Sequence, residues 1–122
     1  MPSRADHTAK AEANEQLARY LEDGYPDWAL TALFYAALHW VDAALDGLDG
    51  QSVHPRSHRE RDRLVTTNRS LASIERDCFV LKDLSIAARY DVERFYPSDV
   101  AYYRERRLEQ IRTACRQLLG PP

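Results

Sequence analysis

Only four of the 122 residues are glycine and only two are cysteine. Little glycine, set against abundant Ala, Leu, Arg and Glu, favours helix. No run alternates apolar and polar residues between turn signals, so no strand competes. Cys78 and Cys115 lie far apart without metal-type spacing, and they read as small core residues in a reducing cytoplasm. The chain also lacks a strong charge of one sign. A net charge of −2 argues against a generally basic nucleic-acid coat and leaves local patches open. There is no repeat, low-complexity tract or linker. One domain over residues 1–122 is therefore expected, large enough for a core without disulfides or metal. The first six residues lack the apolar stretch of a signal peptide. The longest apolar run, 28–45, carries His39 and Asp42 and falls short of the roughly 20 clean residues of a bilayer span. A cytoplasmic protein with no membrane partner is the expectation.

What the chain does have is helical periodicity. A first helix is expected from about Ser3 or Thr8 to Asp23, with Ala9, Ala13, Leu17 and Tyr20/Leu21 as its apolar stripe and Gly24 ending it. Asp27, after Pro26, is placed to cap a second helix that stops near Gly47 or Gly50. Ser57-x-x-Glu60 is a capping box opening a short third helix, about 57–66. A fourth begins around Asn68 or Ser70 and carries Leu71, Ile74, Cys78, Leu81, Leu84 and Ala88 at helical spacing. The aromatic-rich stretch 91–97 follows, partly helical by expectation. Ser98 then caps a fifth helix striped by Val100, Tyr103, Leu108, Ile111, Cys115 and Leu118, and Gly120-Pro121-Pro122 stops it. Helices joined by short connections predict an all-α, up-down four- or five-helix bundle.

The second helix is apolar almost all round. Thr31, Tyr35, His39, Asp42 and Asp46 fall within roughly an 80° wedge, with Trp28 on the same side. Leu30, Leu33, Phe34, Ala37, Val41, Ala44, Leu45 and Leu48 face the core. His39 and Asp42, three apart, are able to touch, and a carboxylate beside an imidazole raises its pKa for acid–base work. The competing reading is a satisfied polar pair at a packing or subunit seam. A metal site would need a third ligand, and nothing at fixed spacing supplies one. No metal and no cofactor are expected.

The densest basic cluster runs from His54 to Arg63, with His54, Arg56, His58, Arg59, Arg61 and Arg63 against Glu60 and Asp62. It coincides with a helix start, where free N–H groups and the dipole favour anions. Guanidinium groups suit bidentate phosphate contacts. The cluster is either a phosphate or RNA-backbone site, with His54 or His58 available for proton transfer, or a solvated helix start with local ion pairs. Arg89, closing the fourth helix beside Tyr90, belongs to the same basic set. Phe95, Tyr96, Tyr102 and Tyr103, interleaved with Arg94, Arg104, Arg106 and Arg107, either stack bases or pack helix ends.

Three segments together carry a resemblance: W-A-L-T-A-L-F-Y-A-A-L-H-W-V-D-A-A-L over 28–45, H-P-R-S-H-R-E-R over 54–61, and L-S-I-A-A-R-Y over 84–90. Their order resembles the HEPN family of small helical domains. The resemblance implies a homodimeric helical bundle. It implies either a metal-independent RNase toxin or defence effector, often beside a nucleotidyltransferase-type partner protein, or an inactive module that binds a nucleotide, RNA or protein. The family's RNase signature is an Arg followed by a His with four to six residues between, and no Arg here meets it. Arg4 and His7 have two residues between them, and Arg56 and His58 have one. A non-catalytic HEPN-like dimer is therefore the leading expectation. A divergent RNase using His39, Asp42 and His58 is the alternative, with His54, Arg56, Arg59, Arg61, Arg63 and Arg89 on phosphate. A ligand-free adaptor is the third reading.

Overall fold

The computed structural model describes residues 2–48 and 53–120. Among them every regular element is a helix, as the scarcity of glycine leads one to expect. The α-helices are α1 (Arg4–Leu21), α2 (Pro26–Leu45), α3 (His58–Thr67), α4 (Glu75–Tyr90), α5 (Pro97–Tyr103) and α6 (Glu109–Leu119). A 3-10 segment, Arg69–Ile74, leads into α4. A π turn, Arg104–Leu108, makes α5 and α6 one continuous rod.

Each helix start has a local cause. Ser3 Oγ accepts from the Asp6 N–H at 3.1 Å, and the Asp6 carboxylate accepts from the Ser3 N–H at 2.9 Å. These bonds from Ser3 hold the Asp6 carboxyl below its ordinary pKa. Asp27 is not the cap of α2: Pro26 is the first helical residue, where its missing N–H needs no partner, and Asp27 falls in the first turn. Ser57 Oγ does cap α3 through the Glu60 N–H at 3.1 Å, while the Glu60 carboxylate turns to the Arg56 N–H at 3.4 Å. α5 likewise opens on its proline rather than on Ser98, with Asp99 accepting from the Tyr96 N–H at 2.8 Å. The stretch before it, 91–96, forms no helix, and only Phe95 there is buried. α2 gives way at Gly47, whose φ of 88° suits a residue without Cβ. Arg4 Nε donates to the Ala43 carbonyl at 3.2 Å in that last turn. The other stops expected, Gly50 and Pro121-Pro122, lie outside the described residues.

α2 is the axis of the fold, packed against α1, α4 and the α5–α6 rod. From residue 29 to residue 45 every side chain is buried except Tyr35 and His39, which are half-buried. With 20 residues and a mean hydropathy of 1.2, α2 does reach the length and apolarity of a bilayer span, contrary to expectation, and 83% of its most apolar window is covered by the rest of the protein.

The buried face of α1 differs from the expected one. Ala9, Ala13, Leu17 and Tyr20 point to solvent, and Ala11 and Ala18 face the core. His7, Ala11, Glu15 and Ala18 share one helical face. Alanine lets α1 approach α2 closely, and the polar members of the face find partners there. Trp40 Nε1 donates to Glu15 at 2.8 Å, and Arg112 of α6 donates to the other Glu15 oxygen at 2.5 Å. Apolar spacing alone thus selects the wrong side, because the true interface is small and polar.

The π turn solves a phase problem in the rod. Val100 and Leu108 are both fully buried. Eight residues of straight α-helix would place them about 80° apart, and the extra residue of a π turn brings them back to about 20°. The same turn presents Arg104 to Glu22 of the α1 end and Arg107 to Asp77 of α4. Arginines readable as base-stacking partners therefore act as pins between helices.

The reversed face of α1 is checked by two equal insertions. Ala18→Leu should wedge α1 from α2 and lower the unfolding free energy by about 2 kcal/mol. Ala13→Leu should change it by less than about 0.5 kcal/mol in the same urea titration.

Candidate functional site

A helix buried on nearly all sides cannot leave its polar groups unpaired. The polar line of α2 is accordingly met residue by residue from inside the chain. Thr31 Oγ1 donates to its own helix at the Asp27 carbonyl, 3.1 Å away. Arg89 Nη1 of α4 donates to the Tyr35 hydroxyl at 3.3 Å. His39 Nδ1 meets His7 Nδ1 of α1 at 3.1 Å. Asp42 accepts both arms of Arg61 from α3, Nε at 2.6 Å and Nη2 at 2.9 Å. Asp46 stands 3.7 Å from His54. Thr31 and Asp42 are thus buried within the single chain. Besides Asp46, half-buried just past the end of α2, the line reaches solvent at two windows, Tyr35 and His39, one turn and about 6 Å apart along the helix.

The first window is cationic. His58 stacks on Phe34 with ring centroids 5.7 Å apart, and its Nδ1 lies 3.3 Å from Arg61 Nη1. Partial desolvation, then Arg61, Lys82 and Arg89, hold the His58 pKa below its ordinary value, with Asp62 alone opposing them. Arg61 is neutralised by Asp42, and Lys82 is ion-paired with Asp62. Arg89 has the Tyr35 hydroxyl and the Tyr90 ring, 5.4 Å away, and its buried Nε has no partner. The slot beneath, lined by Phe34, Leu38, Val41, His58, Arg61 and Val65, holds only about 20 Å³. That is room for about one water, so a ligand here lies on the surface.

The second window is a donor set. His7, His39 and Asp42 each offer an atom within 4.8 Å of the others. An open groove of about 520 Å³, lined by Pro2, Asp6, His7, Lys10 and His39, lies over it. Burial, then the His7 charge, depress the His39 pKa, and Asp42 only partly offsets them. Asp42 does act in the expected direction, but burial and His7 outweigh it, so the net shift is downward rather than upward.

Of the residues singled out from sequence, Asp42, Arg61 and His58 come together, and His39 joins through Asp42. Among the described residues no contact joins His39 to His58, since Arg61 and Asp42 stand between them. His54 sits apart with Asp46 at the end of α2. Arg56, Arg59 and Arg63 are exposed, with no ion pair among the described residues. Arg61, read as a phosphate ligand, is committed to Asp42. No residue at fixed spacing supplies a third metal donor, but α1 brings His7 within 4.8 Å of the other two donor atoms. Only the packing of α1 on α2 reveals that residue, though its place on one face with Ala11 and Ala18 was available as a signal. Lys82 was overlooked because only the tertiary structure brings α4 to Asp62 of α3. Both cysteines are free, and burial raises both thiols, Cys115 to about 12. No family model, curated protein or solved structure matches the chain.

Removing one member of the buried pair strands the other charge. Arg61→Met should lower stability by about 3 kcal/mol, and adding Asp42→Leu should recover most of the loss in a double-mutant cycle. Acid should act in a defined direction. With the His39 and His58 pKa values below the ordinary 6.5, the unfolded chain binds protons first as pH falls. Stability is then full above about pH 6.5 and declines below it, and the decline measured by denaturation at pH 7.5 and 5.5 should be smaller in His58→Gln.

Proposed function

We propose that this chain is a HEPN-like, non-catalytic binding module that works as a homodimer and takes a phosphate-bearing ligand, a nucleotide or RNA, at the cationic window. The observation that carries the reading is Arg89 at the Tyr35 hydroxyl. It is a cation with no carboxylate partner among the described residues, near an imidazole whose pKa is lowered by partial burial and then by neighbouring cations. An anion is what such a cluster lacks, and a phosphate accepts from guanidinium and imidazole together. Tyr35 and Tyr90 place rings beside it, and Arg56, Arg59 and Arg63 extend positive charge along and just before α3. A surface cluster over a slot of about 20 Å³ fits a nucleic-acid backbone better than an enclosed small molecule.

Binding is preferred to cleavage because Arg61 stands between Asp42 and His58, donating to both carboxylate oxygens and lying 3.3 Å from His58 Nδ1, so Asp42 is not placed to orient that imidazole. The exposed Leu17 and Tyr20 on α1, 46% and 85% accessible, support a dimer built on α1 rather than on the polar line of α2.

Fluorescence anisotropy with a labelled single-stranded RNA tests the reading. Arg89→Gln should weaken binding about tenfold, the worth of one charge-assisted contact. It should also flatten the slope of log K against log salt by about 0.7, the value for one lost phosphate contact to a single strand. Arg19→Gln, on α1, should change neither. RNA cleavage by the wild type that His58→Ala abolishes would instead establish the divergent RNase. No binding of RNA or nucleotide at low salt would leave the adaptor reading.

A further inference from the structure

The His7–His39 contact is unusual chemistry for a helix interface. Two imidazole Nδ1 atoms face each other at 3.1 Å. One must carry a hydrogen and the other a lone pair, since two N–H groups would collide. The same opposition of nitrogens is what a shared metal ion requires. Two histidine nitrogens on one tetrahedral zinc, each about 2.0–2.1 Å from it, lie about 3.3 Å apart. The pair therefore needs to open by only a few tenths of an ångström, well within side-chain freedom.

We propose that His7, His39 and Asp42 form a binding site for a divalent transition-metal ion of the zinc, cobalt and nickel class. Three observations converge on it. The three donor atoms lie within 4.8 Å of one another although they come from two helices. Both histidines are half-buried, so α1 and α2 hold the rings in place from either side. An open groove of about 520 Å³ over the two rings gives an ion a way in and leaves its fourth position to water. Two nitrogens and one carboxylate oxygen suit a borderline ion, whereas Mg²⁺ and Ca²⁺ call for oxygen donors throughout.

The surrounding charges set the strength. Arg61 occupies one lone pair of each Asp42 oxygen and leaves another free for a metal. Arg61 and Lys10 both weaken the attraction for a cation, and Asp6 on the groove wall opposes them. The expected affinity is therefore micromolar rather than that of a closed structural site. Binding shifts the hydrogen between the imidazoles to the Nε2 of its own ring, so that both Nδ1 lone pairs face the ion, and ties the start of α1 to the middle of α2. This site does not depend on the phosphate reading, which concerns the neighbouring window.

Titration of the purified chain with Co²⁺, read by the visible absorption of a tetrahedral complex, tests the site, with Zn²⁺ as competitor. One ion per chain is expected, displaced by Zn²⁺ and unaffected by Mg²⁺. His7→Gln should weaken binding by more than about tenfold, while His54→Gln and His58→Gln leave it unchanged. His7→Cys should restore binding with a thiolate-to-cobalt charge-transfer band, which a purely structural role of His7 would not produce. Circular dichroism confirms that each variant stays helical. If His7→Gln loses helicity, the His7→Cys band decides the matter. Absence of stoichiometric binding to the wild type, or undiminished binding in a folded His7→Gln, would overturn the proposal.

Discussion

The carboxylate of Asp42 sits in the middle of a helix that has almost no solvent-facing side, and much of the molecule follows from that position. A lone charge there would pay a desolvation penalty of several kcal/mol. Arg61 removes most of it by closing on both oxygens. To deliver that guanidinium, α3 must lie across α2, and its Ser57 cap fixes where the helix begins. Once Arg61 is in place, His58, one turn earlier, falls on Phe34 and beside the other cations of α4. The ion pair thus builds the basic face without lending it net charge.

The same pair divides the polar line into two environments. On the Arg61 side lie His58, Lys82 and Arg89, where the surplus is positive. On the Asp42 side lie His39 and His7, whose nitrogens and the carboxylate form a set of electron-pair donors. Under the two proposals, openings one turn apart on one helix would take ligands of opposite charge. Neither opening is a deep pocket, because alanines and leucines fill the rest of the α2 surface against α1, α4 and the α5–α6 rod. Recognition at either is left to a few directed groups rather than to enclosure.

Much of this was legible in the residues. Helical spacing located the helices, capping chemistry placed a start at Ser57, and Ser3 was one of the two starts left open for α1. The two prolines at helix starts misled only the choice of cap, since Pro26 and Pro97 enter the helices themselves. The angular sorting of α2 identified Thr31, Tyr35, His39, Asp42 and Asp46 as one line. The face of α1 was misread because its packing surface is alanine with polar neighbours, and a stripe of Leu17 and Tyr20 looks more hydrophobic than it. The π turn has no local signature in the Arg-rich stretch that forms it. The pairing of His39 with His7 was hidden by the same misreading of α1.

The sequence by itself determined the all-helical class, the order of the elements and the candidates for chemistry. Those depend on local propensity and periodicity, which a single chain segment carries. Which partner each candidate meets was decided only by tertiary structure. Asp42 is three residues from His39 in sequence yet bonded to Arg61, and His39 is answered by a histidine more than thirty residues earlier. Pairing across helices depends on crossing geometry and on which face each helix buries. For α1 that choice rested on close approach and on hydrogen-bond partners rather than on the hydrophobicity that a sequence displays.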